Sequence, residues 1–204
     1  MNEDSKTERG RFRSVDIRLL QESDSDPRWD AEPTKLVYAY PVQSDDGILY
    51  AAARILANGI SPEELDQYGG FITCASPQSH IACFRNAIDF LIPDGTPVLA
   101  MQDGCVVEVQ ETSERWGDSP EYADYLNYMT IEHPNGEFSQ YCHLAKESAA
   151  RLGISPGTPV RKSQEIATVG KTGWTDRDHL HVVVFRLDNN PFGFKSHKIK
   201  FQHP

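Results

Sequence analysis

The stretch Thr172-Gly173-Trp174-Thr175-Asp176-Arg177-Asp178-His179-Leu180-His181-Val182-Val183-Val184-Phe185 sets the frame for the rest of the chain. A glycine-bearing loop runs into a β-branched segment, the composition of a strand. Its strand opens with two histidines two positions apart. Residues i and i+2 of a strand point to one face, so His179 and His181 present paired imidazoles. Such a pair can share one metal centre or divide the work between metal and substrate, neutral imidazole being the commonest side-chain ligand for zinc. Sheet histidines on their own more often serve structure than chemistry, so the weight of the reading rests on residues upstream.

The bulk numbers narrow the classes. A chain of 204 residues suits one domain with extensions and can bury a real core. A net charge of −10 argues against a nucleic-acid partner, which calls for basic patches. No apolar run approaches the roughly 18 residues needed for a membrane span. Residues 1–30 are polar and charged, and are expected to form a mobile tail. They hold no apolar segment of the kind a secretory signal needs, so the sequence reads as cytoplasmic as written. Cys74, Cys83, Cys105 and Cys142 show no C-x-x-C spacing and read as free thiols, with a Cys74–Cys83 bridge as the alternative.

Residues 31–70 read as a small α/β lead-in: a strand over Lys35–Tyr40, a helix over Ile48–Ala57 ended by Asn58-Gly59, and a helix capped at Ser61-Pro62 and finished by Gly69-Gly70. From Phe71 onward short strands alternate with turn signals, as in an antiparallel sandwich or open barrel. Strands are expected over Ala87–Ile92, Pro97–Ala100, Cys105–Gln110, Asn127–His133 and Glu137–Leu144, with Asn135-Gly136 as the hairpin turn of the last pair. Further strands fall at Gly157–Val160, Glu165–Val169 and Lys198–Phe201, and a helical turn at Lys146–Leu152. Residues 71–204 thus form the main β domain.

Of seven histidines, His133, His197 and His203 rank as solvated or structural by position. His80, His143, His179 and His181 remain, with one well-placed acid. Asp89 interrupts the apolar run Ala87-Ile88-Asp89-Phe90-Leu91-Ile92. A carboxylate there is costly to bury unless paired or metal-bound, and two or three histidines facing it would relieve that cost.

Four blocks in order carry a family resemblance. They are Ala87-Ile88-Asp89-Phe90 with Pro93-Asp94-Gly95-Thr96-Pro97-Val98-Leu99-Ala100; Asp103-Gly104; Tyr141-Cys142-His143-Leu144; and Val169-Gly170-Lys171-Thr172-Gly173 running to His179-Leu180-His181. Together, over residues 71–187, they resemble the lysostaphin-type zinc metallopeptidases that cut peptidoglycan. The resemblance implies a mainly β, antiparallel fold of that kind, and one Zn2+ per chain. It implies Asp89 and His181 as metal ligands and His143 and His179 as the catalytic pair beside a metal-activated water. The common pattern puts the third ligand four residues before Asp89, where this chain has Arg85, a side chain that stays protonated and cannot ligate. His80, nine residues before Asp89, is similar to a longer spacing in the family and is assigned as the third ligand. The implied substrate is a peptidoglycan stem or cross-bridge peptide, which lies outside the cytoplasm. Gly173, Tyr141 and Trp116 are the expected substrate-binding positions, with the loop from Trp116 to Tyr125 as one wall of the groove and the glycines at 170 and 173 admitting substrate close to the backbone.

The chemistry fits these parts apart from the family. Two histidines and one carboxylate leave a fourth position open on a catalytic zinc. Rival readings are a thiol nucleophile at Cys142, disfavoured because strand neighbours such as Cys142 and His143 face opposite sides, and a four-ligand structural zinc held by Cys74, His80, Cys83 and another residue. A third rival is an inactive relative that binds or regulates wall hydrolases, which Arg85 at the usual ligand position keeps in play.

Overall fold

The computed structural model describes residues 17–30, 32–43 and 65–202. A short helix, α1 (Ile17–Ser23), and a 3-10 turn (Pro27–Trp29) precede β1 (Pro33–Tyr38). β2 (Leu65–Tyr68) and β3 (Phe71–Cys74) form a hairpin on Gly69-Gly70, both glycines at positive φ. Then come β4 (Ile88–Phe90), β5 (Pro97–Leu99), β6 (Gly104–Gln110), β7 (Trp116–Gly117), β8 (Tyr128–Glu132) and β9 (Phe138–Cys142). A single-turn helix, α2 (Ser148–Arg151), leads to β10 (Pro159–Val160), β11 (Glu165–Thr168), β12 (Gly173–Trp174), β13 (Leu180–Leu187), β14 (Phe194–Ser196) and β15 (Lys198–Phe201).

The mainly β, antiparallel architecture expected from the turn pattern is the one the chain adopts. One sheet runs in the order β10-β6-β8-β9-β13-β4-β3-β2, antiparallel at every pairing, with β14 also on β13. Smaller pairs join β5 to β11, β7 to β12 and β1 to β15. β13 sits at the centre, and its apolar run is continuous because both its faces are covered. Leu180, Val182 and Val184 pack with Ile88, Phe90, Met129, Ile131 and Tyr141 against Val98, Ile166 and Ala167 of the β5–β11 pair. Val183 and Phe185 point the other way, into a second cluster with Phe138, Phe194, Ile81, Cys83, Leu20 and Trp29.

Of the stretch expected as a mobile tail, residues 17–30 are described, and that second cluster corrects the expectation for them. Residues 17–30 are structured, because Leu20 and Trp29 bring two large apolar side chains to a sheet face left open by the other strands. The Trp29 indole donates to the Ser23 carbonyl at 2.8 Å, so its one polar atom is satisfied inside the segment. The lead-in also differs: Leu65–Tyr68, expected to end a helix, is a strand of the main sheet. The helices expected at Ile48–Ala57 and from Ser61 lie outside the described residues, as does His203. His133 and His197 are buried rather than solvated. His133 bonds the Asp103 carbonyl and the Ser139 hydroxyl, and His197 the Glu32 carbonyl.

Beside the Asn135-Gly136 turn, Glu137 ties β1 to the sheet. Its carboxylate is buried and accepts from the Lys35 and Leu36 amides, the Tyr38 hydroxyl, the Asn135 amide and the Arg186 guanidinium. Burial works against the ionised form, but these donors outweigh it and hold the carboxyl down to about 2. A folded-state pKa below the unfolded one means stability that is full at neutral pH and lost as pH falls through the folded value. Between about pH 4.5 and 2 this one group should remove on the order of 3 kcal/mol. Glu137→Gln should cost about 3–5 kcal/mol at pH 7, because it leaves clustered donors unanswered. Urea unfolding of both chains across that range checks it: the two stabilities should converge as pH falls, and a constant gap would contradict the assignment.

Candidate metal centre

Register on the sheet brings two of the expected ligands together. Asp89 of β4 and His181 of β13 are direct cross-strand partners, so their side chains leave one face at adjacent positions. Their neighbours along that row are Cys74 on one side and Cys142 on the other. His80 comes from a different kind of structure. It lies in the irregular excursion between β3 and β4, just before the 3-10 turn Ala82–Phe84, and reaches the same point from outside the sheet.

The three donor atoms converge. His80 Nε2 is 3.1 Å from Asp89 Oδ1 and 3.2 Å from His181 Nδ1, and His181 Nδ1 is 2.9 Å from the same carboxylate oxygen. Ligands at about 2.0–2.2 Å in tetrahedral array around zinc stand roughly 3.4 Å apart, so the set needs only a slight opening to hold that ion. It is the one His/Cys/Asp/Glu group of suitable geometry among the described residues. All three residues are buried. Burial pushes the Asp89 carboxyl up, but the imidazoles of His80 and His179 and hydrogen bonds from His181 and His80 outweigh it, so the group stays ionised well below the usual carboxylate range. Burial lowers His181, with Asp89 opposing, so the imidazole is neutral, the form that ligates. A cation fits a pocket holding one carboxylate and two facing ring nitrogens.

His143 and His179 flank this triangle. Their ring centroids are 4.4 Å apart, and His143 is 6.2 Å from His181. His179 Nε2 is 3.7 Å from Asp89 Oδ1. His143 Nδ1 donates to the Thr172 carbonyl at 2.7 Å, and His179 Nδ1 to the Arg177 carbonyl at 3.0 Å. Those carbonyls only accept, so each fixes its imidazole in the tautomer whose Nε2 is the basic nitrogen. Burial and then the neighbouring His179 and His181 hold His143 well below the usual imidazole range. It is thus neutral and able to accept a proton.

His143 reaches the site through an unusual backbone. Its φ is +61°, in the left-handed region that a side chain enters at a cost of about 1–2 kcal/mol. The Gly170 amide bonds the His143 carbonyl at 2.8 Å and Leu144 bridges Val169, which holds the turn. This breaks the strand alternation on which the Cys142 reading was judged. Cys142 shares a face with His181, and His143 swings back toward that same face. A thiol nucleophile is disfavoured for another reason: burial, with Asp89 nearby, pushes the Cys142 thiol well up and keeps it protonated. Cys74 and Cys83 form no disulfide and neither joins His80 in a ligand group among the described residues, so the cysteine-bound structural zinc has no geometry behind it.

The substrate-binding expectations divide. Tyr141 is corrected: its ring lies in the main core, on the face away from the ligands, and its hydroxyl accepts from the Met101 amide. Trp116 is exposed, with the Lys171 ammonium 4.3 Å from its ring centre. Its strand pairs with Gly173-Trp174, and the Gly173 amide donates to the Arg115 carbonyl, so the loop lies along the segment that orients His143. Gly173, at φ +80°, and Gly170 do admit a close approach, but by this chain. An added Cβ would meet Leu126 Cα at 2.9 Å and Ala145 Cα at 2.5 Å respectively. Sequence reading missed the carbonyls of Thr172 and Arg177, since a main-chain acceptor leaves no trace in residue type.

Comparison with known proteins gives a match to the model of peptidase family M23 over residues 84–192. The match takes in Asp89, His143, His179 and His181, and also Arg85, and begins after His80. Among curated relatives, the chain is 34% identical over 97 residues to the peptidoglycan DD-endopeptidase ShyA of Vibrio cholerae, 48% of this chain and 19% of that protein. It is 36% identical over 105 residues to ShyC of the same organism, also a peptidoglycan DD-endopeptidase, 50% of this chain and 21% of that protein. The chain thus spans about a fifth of the length of these relatives. Among solved structures, a zinc-containing peptidase from Vibrio cholerae aligns with TM-score 0.44 and 26% identity, covering 73% of this chain and 36% of the other.

Zinc affinity measured by competition with a chromophoric chelator checks the ligand set. His80→Ala, Asp89→Ala and His181→Ala should each weaken binding by more than about 100-fold, beyond the range usual for outer contacts. His143→Ala should bind within a few-fold of the parent. Loss of zinc from Arg85→Ala but not from His80→Ala would show that the third ligand is misassigned.

Proposed function

The chain belongs to peptidase family M23, and on that premise we propose that it is a zinc-dependent endopeptidase hydrolysing peptide bonds in peptidoglycan stem or cross-bridge peptides. The carrying observation is the convergence of His80 Nε2, Asp89 Oδ1 and His181 Nδ1 beside two imidazoles whose Nδ1 atoms are already engaged. The substrate class follows the relatives named above, which are peptidoglycan DD-endopeptidases.

His80, Asp89 and His181 would hold one Zn2+ per chain. Bound there, the ion supplies a Lewis acid for the peptide carbonyl and a water acidified to a pKa near 7. The chain does the rest. His143 and His179 stand side by side at the edge of the triangle, each with Nε2 as its basic atom. Either can take the proton of the attacking water at Nε2 and return it from there to the leaving amine. The Thr172 and Arg177 carbonyls keep both rings aimed through that exchange, since neither can flip without breaking its bond. The loop beginning at Trp116 supplies an exposed aromatic surface next to these histidines, suited to the flank of a peptide.

Digestion of purified sacculi, with release of peptide fragments read by mass spectrometry, tests the proposal. Zinc-loaded protein should release them and chelator-treated protein should not, with recovery on adding Zn2+ back. His143→Ala should lower kcat/KM by about 10²–10⁴ while retaining zinc. Binding to sacculi with no fragments under any metal condition would favour the non-catalytic, regulatory reading instead.

A further inference from the structure

The geometry points to Asp24 and Arg85 as positioning residues for His80: the segment Leu20–Asp30 clamps the excursion that carries this ligand, and so sets the zinc affinity of the site. The inference rests on the metal-centre reading above and goes beyond it, since neither residue touches the donors.

Asp89 and His181 are placed by the sheet, each on a strand paired on both sides. His80 has no strand beneath it. Its amide bonds only the Ser76 carbonyl, within the excursion. Nor is its ring gripped from behind. A metal-bound histidine ordinarily donates its second ring nitrogen to an acceptor that fixes the ring, but His80 Nδ1 is buried without a partner among the described residues. Its aim must therefore come from the backbone that follows.

That backbone is held from outside. Ala82, two residues after His80, has φ +48°, a left-handed conformation without glycine's freedom. Its amide donates to Asp24 Oδ1 at 2.7 Å. Arg85 binds the same segment three ways: to the Asp24 carbonyl, to Asp24 Oδ1 at 3.1 Å and to Asp30 Oδ1 at 3.1 Å. Ile81, Ala82 and Cys83 are buried in the cluster that contains Leu20 and Trp29. Arg85 therefore turns away from Asp89, although it stands where the common pattern has its ligand. Here that position fastens the segment over the longer excursion that the more distant His80 requires.

The full-length chain with Asp24→Ala, Asp24→Asn and Arg85→Ala is compared with the parent and with Glu137→Gln, which weakens the fold elsewhere. Two quantities are read well below the unfolding temperature: the zinc dissociation constant, and kcat at saturating zinc. Asp24→Ala and Arg85→Ala should bind zinc about 10–100-fold more weakly, the range of outer-contact effects on metal sites. Asp24→Asn, which keeps an acceptor for the Ala82 amide, should recover most of the loss. At saturating zinc, kcat should stay near the parent's, because His143 and His179 are untouched. Parent-like zinc affinity in both Asp24→Ala and Arg85→Ala, with His80→Ala still losing the metal, overturns this inference and leaves the metal-centre reading intact. An equal loss of affinity in Glu137→Gln overturns it too, since the effect would then be general destabilisation. A parent chain that binds no zinc removes both.

Discussion

Three atoms able to ligate a metal stand within 3.2 Å of one another, one of them the oxygen of a buried carboxylate, an arrangement that a cation between them would satisfy. The rest of the molecule is consistent with holding that crowding in place. A nine-stranded sheet supplies two of the donors at fixed register, and its faces are sealed by two separate clusters. The cost of keeping Asp89 ionised away from water is offset by the surrounding imidazoles.

The five side chains arrive by two structural routes. Asp89 and His181 follow from the pairing of β4 and β13, where alternation and register leave little freedom, and His179 lies just before β13. His143 and His80 depend on departures from regular structure: a left-handed turn at the end of β9, and an excursion held against the N-terminal segment. The sheet gives a rigid base, and the irregular segments complete a site that strands alone could not close. Rigid supporting elements with locked first-contact residues are what preorganised sites need.

How much of this was legible in the sequence follows the same division. The strands and the Asn135-Gly136 turn were readable because period-two alternation and turn chemistry are local signals. Asp89 stood out because a lone acid in an apolar strand demands a partner. The fastening of residues 17–30 was not readable. Two apolar side chains in a polar stretch look like a loose tail until the sheet face they cover is known. Tyr141 was misplaced because its neighbour His143 leaves the strand with positive φ, so proximity in the motif did not mean a shared face. The Thr172 and Arg177 carbonyls, and the role of Asp24, belong to main-chain geometry that residue type does not encode.

X-ray absorption at the zinc edge of the metal-loaded chain tests the central claim most directly, because it reads the donor atoms themselves. Two imidazole nitrogens and carboxylate or solvent oxygen at about 2.0–2.2 Å, with no sulfur, is the spectrum this geometry predicts. A sulfur shell near 2.3 Å, or a spectrum without imidazole scattering, would contradict it.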